Sequence, residues 1–263
     1  MLACLGVVAL GGCSDDNNGP TGPPTFTPAA IVTHDQLRAA LVRAVGNPPA
    51  GNSGLDFQMW ATVVDRSGVV VAVAFTGDTV GDQWPGSRII SAQKANTANN
   101  FSLGGFALST ANLYSAVQPG GSLFGLQEAN PINEDVAYGG NSADYGSADD
   151  FMVGKRIGGT NVFGGGFALY DAAGNVVGGV GVSGDTSCAD HNIGWKVRFF
   201  LDLDNVPGGV ADASTDDNIL YDIDASGASA SGFGHPHCID AAGEDAVAAS
   251  LPTLFPIGPT PSS

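Results

Sequence analysis

The sequence predicts an α+β fold in which an antiparallel β-sheet is flanked by helices. Two stretches have the composition of β-hairpins, and helical segments lie before, between and after them. Because a hairpin joins neighbouring strands in antiparallel fashion, this order disfavours a doubly wound parallel sheet. The chain has 263 residues, of which 43% are hydrophobic, so it can bury a substantial core.

The charge is sparse and strongly acidic. Nine Lys and Arg residues stand against 26 Asp and Glu residues, which gives a formal net charge of −17. Such a surface repels phosphate backbones, and no basic run occurs anywhere in the chain. We therefore expect no nucleic-acid partner.

The first residues have the pattern of a bacterial lipoprotein signal. Residues 1–12 are apolar, uncharged and too few to span a bilayer, and they end in Leu-Gly-Gly before Cys13, the expected lipid acceptor. The positive start of a signal peptide is missing, so a chance Gly-Gly-Cys is the alternative. Residues 13–30 then form a polar, proline-containing tether. We expect an exported protein of the cell envelope; Ser14 resembles Gram-negative sorting patterns for the outer membrane.

The first predicted elements are a helix, a hairpin and a second helix. Thr33 and Gln36 have the spacing of a capping box, and apolar residues follow them at helical intervals. Residues 57–64 and 69–75 are rich in β-forming side chains and are separated by an Asp-Arg-Ser-Gly turn, which predicts a hairpin. Residues 87–100 again have helical spacing.

The second half of the predicted domain repeats this alternation. A shorter helix is expected over residues 110–117. Residues 127–159 are rich in Asn, Asp, Gly and Ser, which we interpret as a surface insertion. Residues 163–170 and 176–182 predict a second hairpin, with an Asp-x-x-Gly turn like that of the first, and a helix is expected over residues 190–201.

Five stretches resemble the GlcG/HbpS-like family, whose characterised members include extracellular haem-binding proteins. They are LRAALVRAV, VVDRSGVVVAVAF, SAQKANTA, QPGGSLFGL and FGGGFALYDAAGNVVGGVGVSGDT. The resemblance runs from Thr33 to Arg198 and defines a domain over residues 31–201. It implies an α/β/α sandwich of the profilin-like type, a homo-oligomer, and binding of haem or a related small ligand. The insertion and the region after Arg198 depart from the family pattern.

Two residues are candidates for haem contacts. His34 stands at the start of the first helix, where some haem-binding relatives place a ligand histidine, and haem iron accepts an imidazole nitrogen. A solvated polar residue at a helix start is the alternative. Lys94 lies in the helix that resembles the family's Lys-bearing helix, where it would pair with a propionate or remain a surface charge. No Cys-x-x-Cys-His sequence for covalent haem occurs.

The two remaining cysteines of the exported chain, Cys188 and Cys238, are expected to form a disulfide. The disulfide would fasten a C-terminal extension to the preceding helix. The alternative is a zinc site, because Cys188-x-x-His191 and His235-x-His237-Cys238 bring ligand types together. With the disulfide formed, the three histidines could still bind a metal weakly.

The C-terminal extension over residues 202–251 is acidic and is followed by a proline-rich tail over residues 252–263. Calcium prefers oxygen ligands of the kind crowded here, although no EF-hand spacing occurs and a solvated acidic loop is the alternative. The oxygen donors are Asp202, Asp204, Asn205, Asp212, Asp216, Asp217, Asp222 and Asp224.

The function expected from these observations is a cell-envelope lipoprotein that binds a small ligand, most plausibly haem. One alternative is a cofactor-free structural or assembly module on the cell surface. A second is an enzyme that acts on a small 2-hydroxy acid or a tetrapyrrole. Neither a Gly-x-Ser-x-Gly elbow nor a His-Glu-x-x-His sequence occurs, so binding is favoured over catalysis.

Overall fold

A computed structural model describes residues 22–46, 50–211 and 215–258. The predicted signal sequence, Cys13 and the beginning of the tether lie outside the described residues. No helix among those residues combines the length and the apolar character needed to cross a bilayer.

A four-stranded antiparallel sheet forms the centre of the domain. The strands are β1 (Trp60–Asp65), β2 (Val70–Phe75), β3 (Gly166–Tyr170) and β4 (Val176–Ser183). Each predicted hairpin is present, and β1 of the first pairs with β4 of the second, in the order β2-β1-β4-β3. Side chains alternate between the two sheet faces, and nearly all the strand residues are buried, so both faces are covered.

Helices cover the two faces of the sheet and complete an α/β/α sandwich. Helix α1 (His34–Val45) and helix α4 (Ser187–Phe200) pack together on one face, and helix α2 (Gly86–Phe101) packs on the other. The capping box of Thr33 with Gln36 is formed. The predicted α+β class and its antiparallel sheet are therefore confirmed.

Helix α2 lies unusually close to β4, because the strand presents glycines to it. A Cβ atom at Gly181 would overlap the Ser91 carbonyl oxygen and the Ala95 amide nitrogen of the helix. This close approach is the physical reason for the glycines in the Gly-Val-Gly-Val strand.

The segment expected to be a surface insertion contributes to the apolar core between α2 and the sheet. It contains the short helix α3 (Glu134–Ala137), and its apolar side chains Val136, Met152 and Ile157 are buried against α2 and β2. The expectation of a surface insertion is therefore wrong for these side chains, because isolated apolar residues among turns were not recognised as a packed face. The helix expected over 110–117 is instead a pair of 3₁₀ turns, Thr110–Leu113 and Ser115–Val117.

The C-terminal extension contains a helix that the sequence analysis did not predict. Helix α5 (Ala241–Leu254) packs against α4. Its Val247 and Leu251 belong to the apolar core between the sheet and helices α1 and α4. Pro252 lies inside this helix, so the expected proline-rich tail begins within a regular element. Prolines and small residues gave little hydrophobic periodicity, which is why the helix was missed.

Candidate functional site

His34 is placed at the surface of the domain by the cap of α1. It is the first helical residue after Thr33, and its side chain is 19% exposed. Its Nδ1 lies 3.1 Å from the Asp35 carboxylate, and its Nε2 lies 3.0 Å from the Gly146 carbonyl oxygen. Both ring nitrogens face acceptor oxygens, so a neutral imidazole can donate to only one of them at a time.

The Gly146 carbonyl is held over His34 by the packed insertion. Gly146 has a φ of +80°, and a Cβ atom there would come 2.7 Å from the Cβ of Phe75, so a side chain at this position would be strained and crowded. Its amide N–H donates to the buried carboxylate of Asp150 at 2.8 Å. The insertion therefore covers Nε2 of His34 with a fixed polar group.

The outward face of α1 is basic and partly apolar. Arg38 lies one helical turn after His34, and Val42, one turn further, is 44% exposed. Arg43 places its guanidinium 4.0 Å from the centre of the Phe200 ring. A groove of about 270 Å³ runs beside this arginine and is lined by Ile31, Val32, Gln36, Ala39, Ala40, Arg43, Phe200 and Leu201. Such a surface can bind an anion that also carries apolar area.

Lys94 lies in the interior, between α2 and α4. Its Nζ donates to the Asp190 carboxylate at 2.7 Å and to the Val182 carbonyl at 3.1 Å, and its side chain is 2% exposed. Burial lowers the pKa of Lys94 and raises the pKa of Asp190 to about 6, although the attraction between the two charges opposes both shifts. The alternative of a surface charge is therefore wrong, and a propionate would have to displace Asp190.

The expected disulfide between Cys188 and Cys238 is formed, with 6.1 Å between the Cα atoms. It fastens the extension to the first turn of α4. In this oxidised state neither sulfur is a thiolate, so the alternative zinc site is not assembled.

The other three histidines lie in different surroundings and do not form one metal site. Nε2 of His191 lies 3.1 Å from the Asn218 amide oxygen and 3.0 Å from the Ile219 amide nitrogen.

His237 is stacked on Tyr221 and lies 2.9 Å from the Asp245 carboxylate. His235 is buried beside the disulfide. The expected set of His191, His235 and His237 is not brought together.

The acidic residues of the extension are largely engaged with the protein itself. Asp217 forms a doubly hydrogen-bonded ion pair with Arg198, Asp222 accepts from Ser229 and Ser231, and Asp224 accepts from Ser226. No cluster of three or more carboxylates with metal-ligand spacing occurs in the part of the chain that the structure describes. Asp212 lies outside that part. The arrangement gives the calcium alternative no support.

Sequence reasoning missed Asp35, Arg38 and Gly146 as neighbours of His34. The i+4 spacing from His34 would have been enough to find Arg38 once α1 was predicted, whereas the contact with Asp35 depends on the side-chain orientation at the start of the helix. Gly146 could not have been found this way, because its contact depends on the path of the insertion.

Comparison with known proteins identifies the domain. A family profile described as "Haem degrading protein HbpS-like" matches residues 50–197, which begin after α1 and His34. No curated protein sequence matches the chain. Two solved structures are similar: a PduOC–haem complex and the Klebsiella pneumoniae protein ORFY, each 23% identical with a TM-score of 0.43. The matches cover 63% of this chain and 89% of PduOC, and 70% of this chain and 95% of ORFY. Because the family profile spans more than half of the chain, this protein belongs to the HbpS-like haem-degrading protein family.

Proposed function

We propose that this chain binds haem through its HbpS-like domain, on the outward face of α1. Membership of the family supports haem as the ligand. The observation that carries the location is the partial exposure of the His34 side chain, whereas the other histidine of the domain, His191, is fully buried. An iron ligand must be reachable from solvent, so His34 is the donor of choice.

The surroundings of His34 suit a histidine that would hold the haem iron. A metal-binding histidine commonly donates its second ring N–H to a carboxylate, and Asp35 stands at Nδ1 in that position. Nε2 would then exchange its contact with Gly146 for the iron. The loss of one such hydrogen bond costs about 1 kcal/mol, which is small against a coordinate bond. Haem supplies a redox-active iron; His34 holds it and Asp35 fixes the ring tautomer.

Positive charge on α1 would hold the propionates. The net charge of −17 opposes a dianionic ligand, so binding requires local cations or apolar shelter. Arg38 and Arg43 lie on the exposed side of α1 and make no hydrogen bond within the described residues. Arg38 therefore replaces Lys94 as the proposed propionate partner, because the Lys94 ammonium is occupied by Asp190.

The test is a haemin titration of residues 22–263. Residues 22–30 are retained because the Phe26 amide donates to the Gly154 carbonyl at 2.5 Å. We expect a saturable Soret shift whose position changes in His34→Ala and is unchanged in His237→Ala, a matched control on the extension. Arg38→Gln should weaken binding by up to about fivefold, and salt should reduce the association rate.

The titration also separates the alternatives. An unsaturable Soret response refutes haem binding and leaves the cofactor-free module. A saturable shift that His34→Ala leaves unchanged refutes the ligand assignment alone. Loss of the Soret band after addition of a reductant in air would add haem breakdown to binding, in line with the family description.

We also propose that the protein is a homo-oligomer held at the cell envelope by lipid on Cys13. The support for anchoring is the apolar start of the chain followed by a polar tether, together with a disulfide that suits an oxidising compartment. Native mass spectrometry of residues 22–263 measures the oligomeric state, and a single-chain mass at micromolar concentration would contradict that part.

A further inference from the structure

We propose that Cys188, His235 and Cys238 form a Zn²⁺ site when the disulfide is reduced. Each of the three residues has a ligand atom within 4.8 Å of those of the other two. No other group of His, Cys, Asp or Glu side chains in the described ranges meets this criterion. The sequence separation between Cys188 and Cys238 is 50 residues, so the site exists only because the extension returns to α4.

One ring nitrogen of His235 is free to bind a metal. Its Nδ1 lies 2.7 Å from the carbonyl oxygen of Pro236, an acceptor, so Nδ1 carries the proton and Nε2 carries a lone pair. Nε2 is buried and has no hydrogen-bond partner, while the residue as a whole is 1% exposed. A buried acceptor without a partner is costly, and a bound cation would satisfy it.

The sulfur atoms require only a small separation. Tetrahedral zinc with Zn–S bonds of about 2.3 Å places two thiolates roughly 3.8 Å apart, close to the separation of two unbonded sulfur atoms. In the folded protein the Cys188 backbone N–H lies 3.2 Å from Cys238 Sγ, and the Ser187 hydroxyl lies 3.4 Å from the same sulfur. These donors would stabilise a thiolate on Cys238.

The chemistry balances with a dithiol as the reductant. The dithiol gives two electrons and two protons to the Cys188–Cys238 bond and is itself converted to a disulfide, which leaves two thiols on the chain. Zn²⁺ then displaces one proton from each thiol and binds two sulfurs and the His235 nitrogen. Three protein ligands leave the fourth position of the zinc open to water or to another ligand. The extension would thus be fastened by a disulfide in oxidising surroundings and by zinc in reducing ones.

The experiment uses residues 22–263, reduced with a phosphine under anaerobic conditions and titrated with Co²⁺ as a spectroscopic probe for the zinc position. We expect one Co²⁺ per chain, thiolate-to-cobalt charge-transfer bands, and their loss on addition of Zn²⁺. His235→Asn and Cys238→Ser should abolish or strongly weaken the bands. His237→Asn is the matched control, since His237 is two residues from His235 but outside the cluster, and it should bind as the native chain does.

Two results would overturn the proposal: no charge-transfer band in the reduced native chain, or a band that His235→Asn leaves unchanged. A second measurement covers the case in which reduction loosens the extension. Zn²⁺ should restore protection of residues 234–258 against protease in the reduced chain. If these residues are protected in the oxidised chain and Zn²⁺ does not restore their protection in the reduced chain, the zinc proposal is overturned. None of these readouts involves haem, so they are independent of the proposed function.

Discussion

The carboxylate of Asp150 organises the insertion that covers His34, and its replacement tests how much of the packing of this insertion depends on one buried ion pair. Asp150 is fully buried and accepts hydrogen bonds from Arg88 Nε at 2.9 Å and from Arg88 Nη2 at 2.5 Å. It also accepts from the backbone amides of Gly146 at 2.8 Å and Met152 at 2.9 Å. The Asp150 side chain therefore joins α2 to both ends of the loop over residues 146–152.

We predict that Asp150→Asn lowers the free energy of unfolding by about 3–5 kcal/mol, the usual cost of leaving one partner of a buried ion pair uncompensated. The substitution keeps the shape of the side chain. Its oxygen can keep two hydrogen bonds, one from Arg88 and one from a backbone amide, but its NH₂ group faces the other N–H of Arg88 and the other backbone N–H, so two acceptor contacts become donor–donor contacts. Arg88 is left 97% buried with its charge unpaired, since its side chain is 3% exposed.

The assay is equilibrium urea unfolding, followed by circular dichroism, with hydrogen exchange of residues 140–155 as a local readout. Asp149→Asn is the control, because this neighbouring carboxylate is exposed and makes no hydrogen bond among the described residues. It should change stability by less than about 0.5 kcal/mol. Equal effects of the two substitutions would refute the assignment of Asp150 as the centre of the insertion.

Three further outcomes are expected. Cys188→Ala with Cys238→Ala should lower stability by about 4 kcal/mol through the entropy of the opened loop, and an unchanged urea midpoint would contradict this. His235 has its pKa lowered from 6.5 to about 4, so between these pH values only the unfolded chain takes up the proton. His235 should therefore contribute a loss of about 3 kcal/mol as the pH drops through this window, and His235→Asn should remove that contribution from the urea-midpoint profile. The buried His191, whose pKa is also lowered by burial, keeps its own contribution in both proteins. Cys13→Ser should abolish lipid labelling and release the protein from membranes; labelling equal to that of the native chain would refute the anchor.

The elements that the sequence predicted are those defined by short-range signals. The capping box, the two hairpins and the helices α2 and α4 each depend on residues within about a dozen positions, and each is present. The expected start of α4 at residue 190 was late, since Thr186 caps the helix with its side chain. A hydroxyl cap before Ser-Cys-Ala-Asp was a readable signal that the apolar pattern concealed.

The parts that were not predicted depend on contacts between distant segments. The insertion looked like a loop because its apolar residues are isolated in sequence, yet Met152 and Ile157 fill a core with residues of α2 and β2. Lys94 looked available for a ligand because its partner Asp190 is 96 positions away. The hydrophobic periodicity of a sequence does not reveal such pairings, because they form only when the folded sheet brings distant segments together.

The positive charges show how contacts between distant segments affect the candidate site. The sequence contains nine Lys and Arg residues, which composition alone treats as equivalent. In the structure three of them, Arg88, Lys94 and Arg198, are buried in ion pairs. Lys196 is also buried, where it donates to the Asn52 side chain. The exposed cations therefore decide where an anionic ligand can bind on a protein of net charge −17.

Two groups of exposed arginines remain, and their hydrogen bonds distinguish them. Arg66 donates to the carbonyl oxygens of Asn99 and Ser102 at the end of α2, and Arg156 donates to the carbonyl of Ser67. An anion beside these arginines would compete with backbone acceptors. The guanidinium of Arg38 on α1 has no such bond among the described residues, and it shares a helix face with His34. The uncommitted guanidinium of Arg38 therefore supports the proposal that haem binds on the outward face of α1.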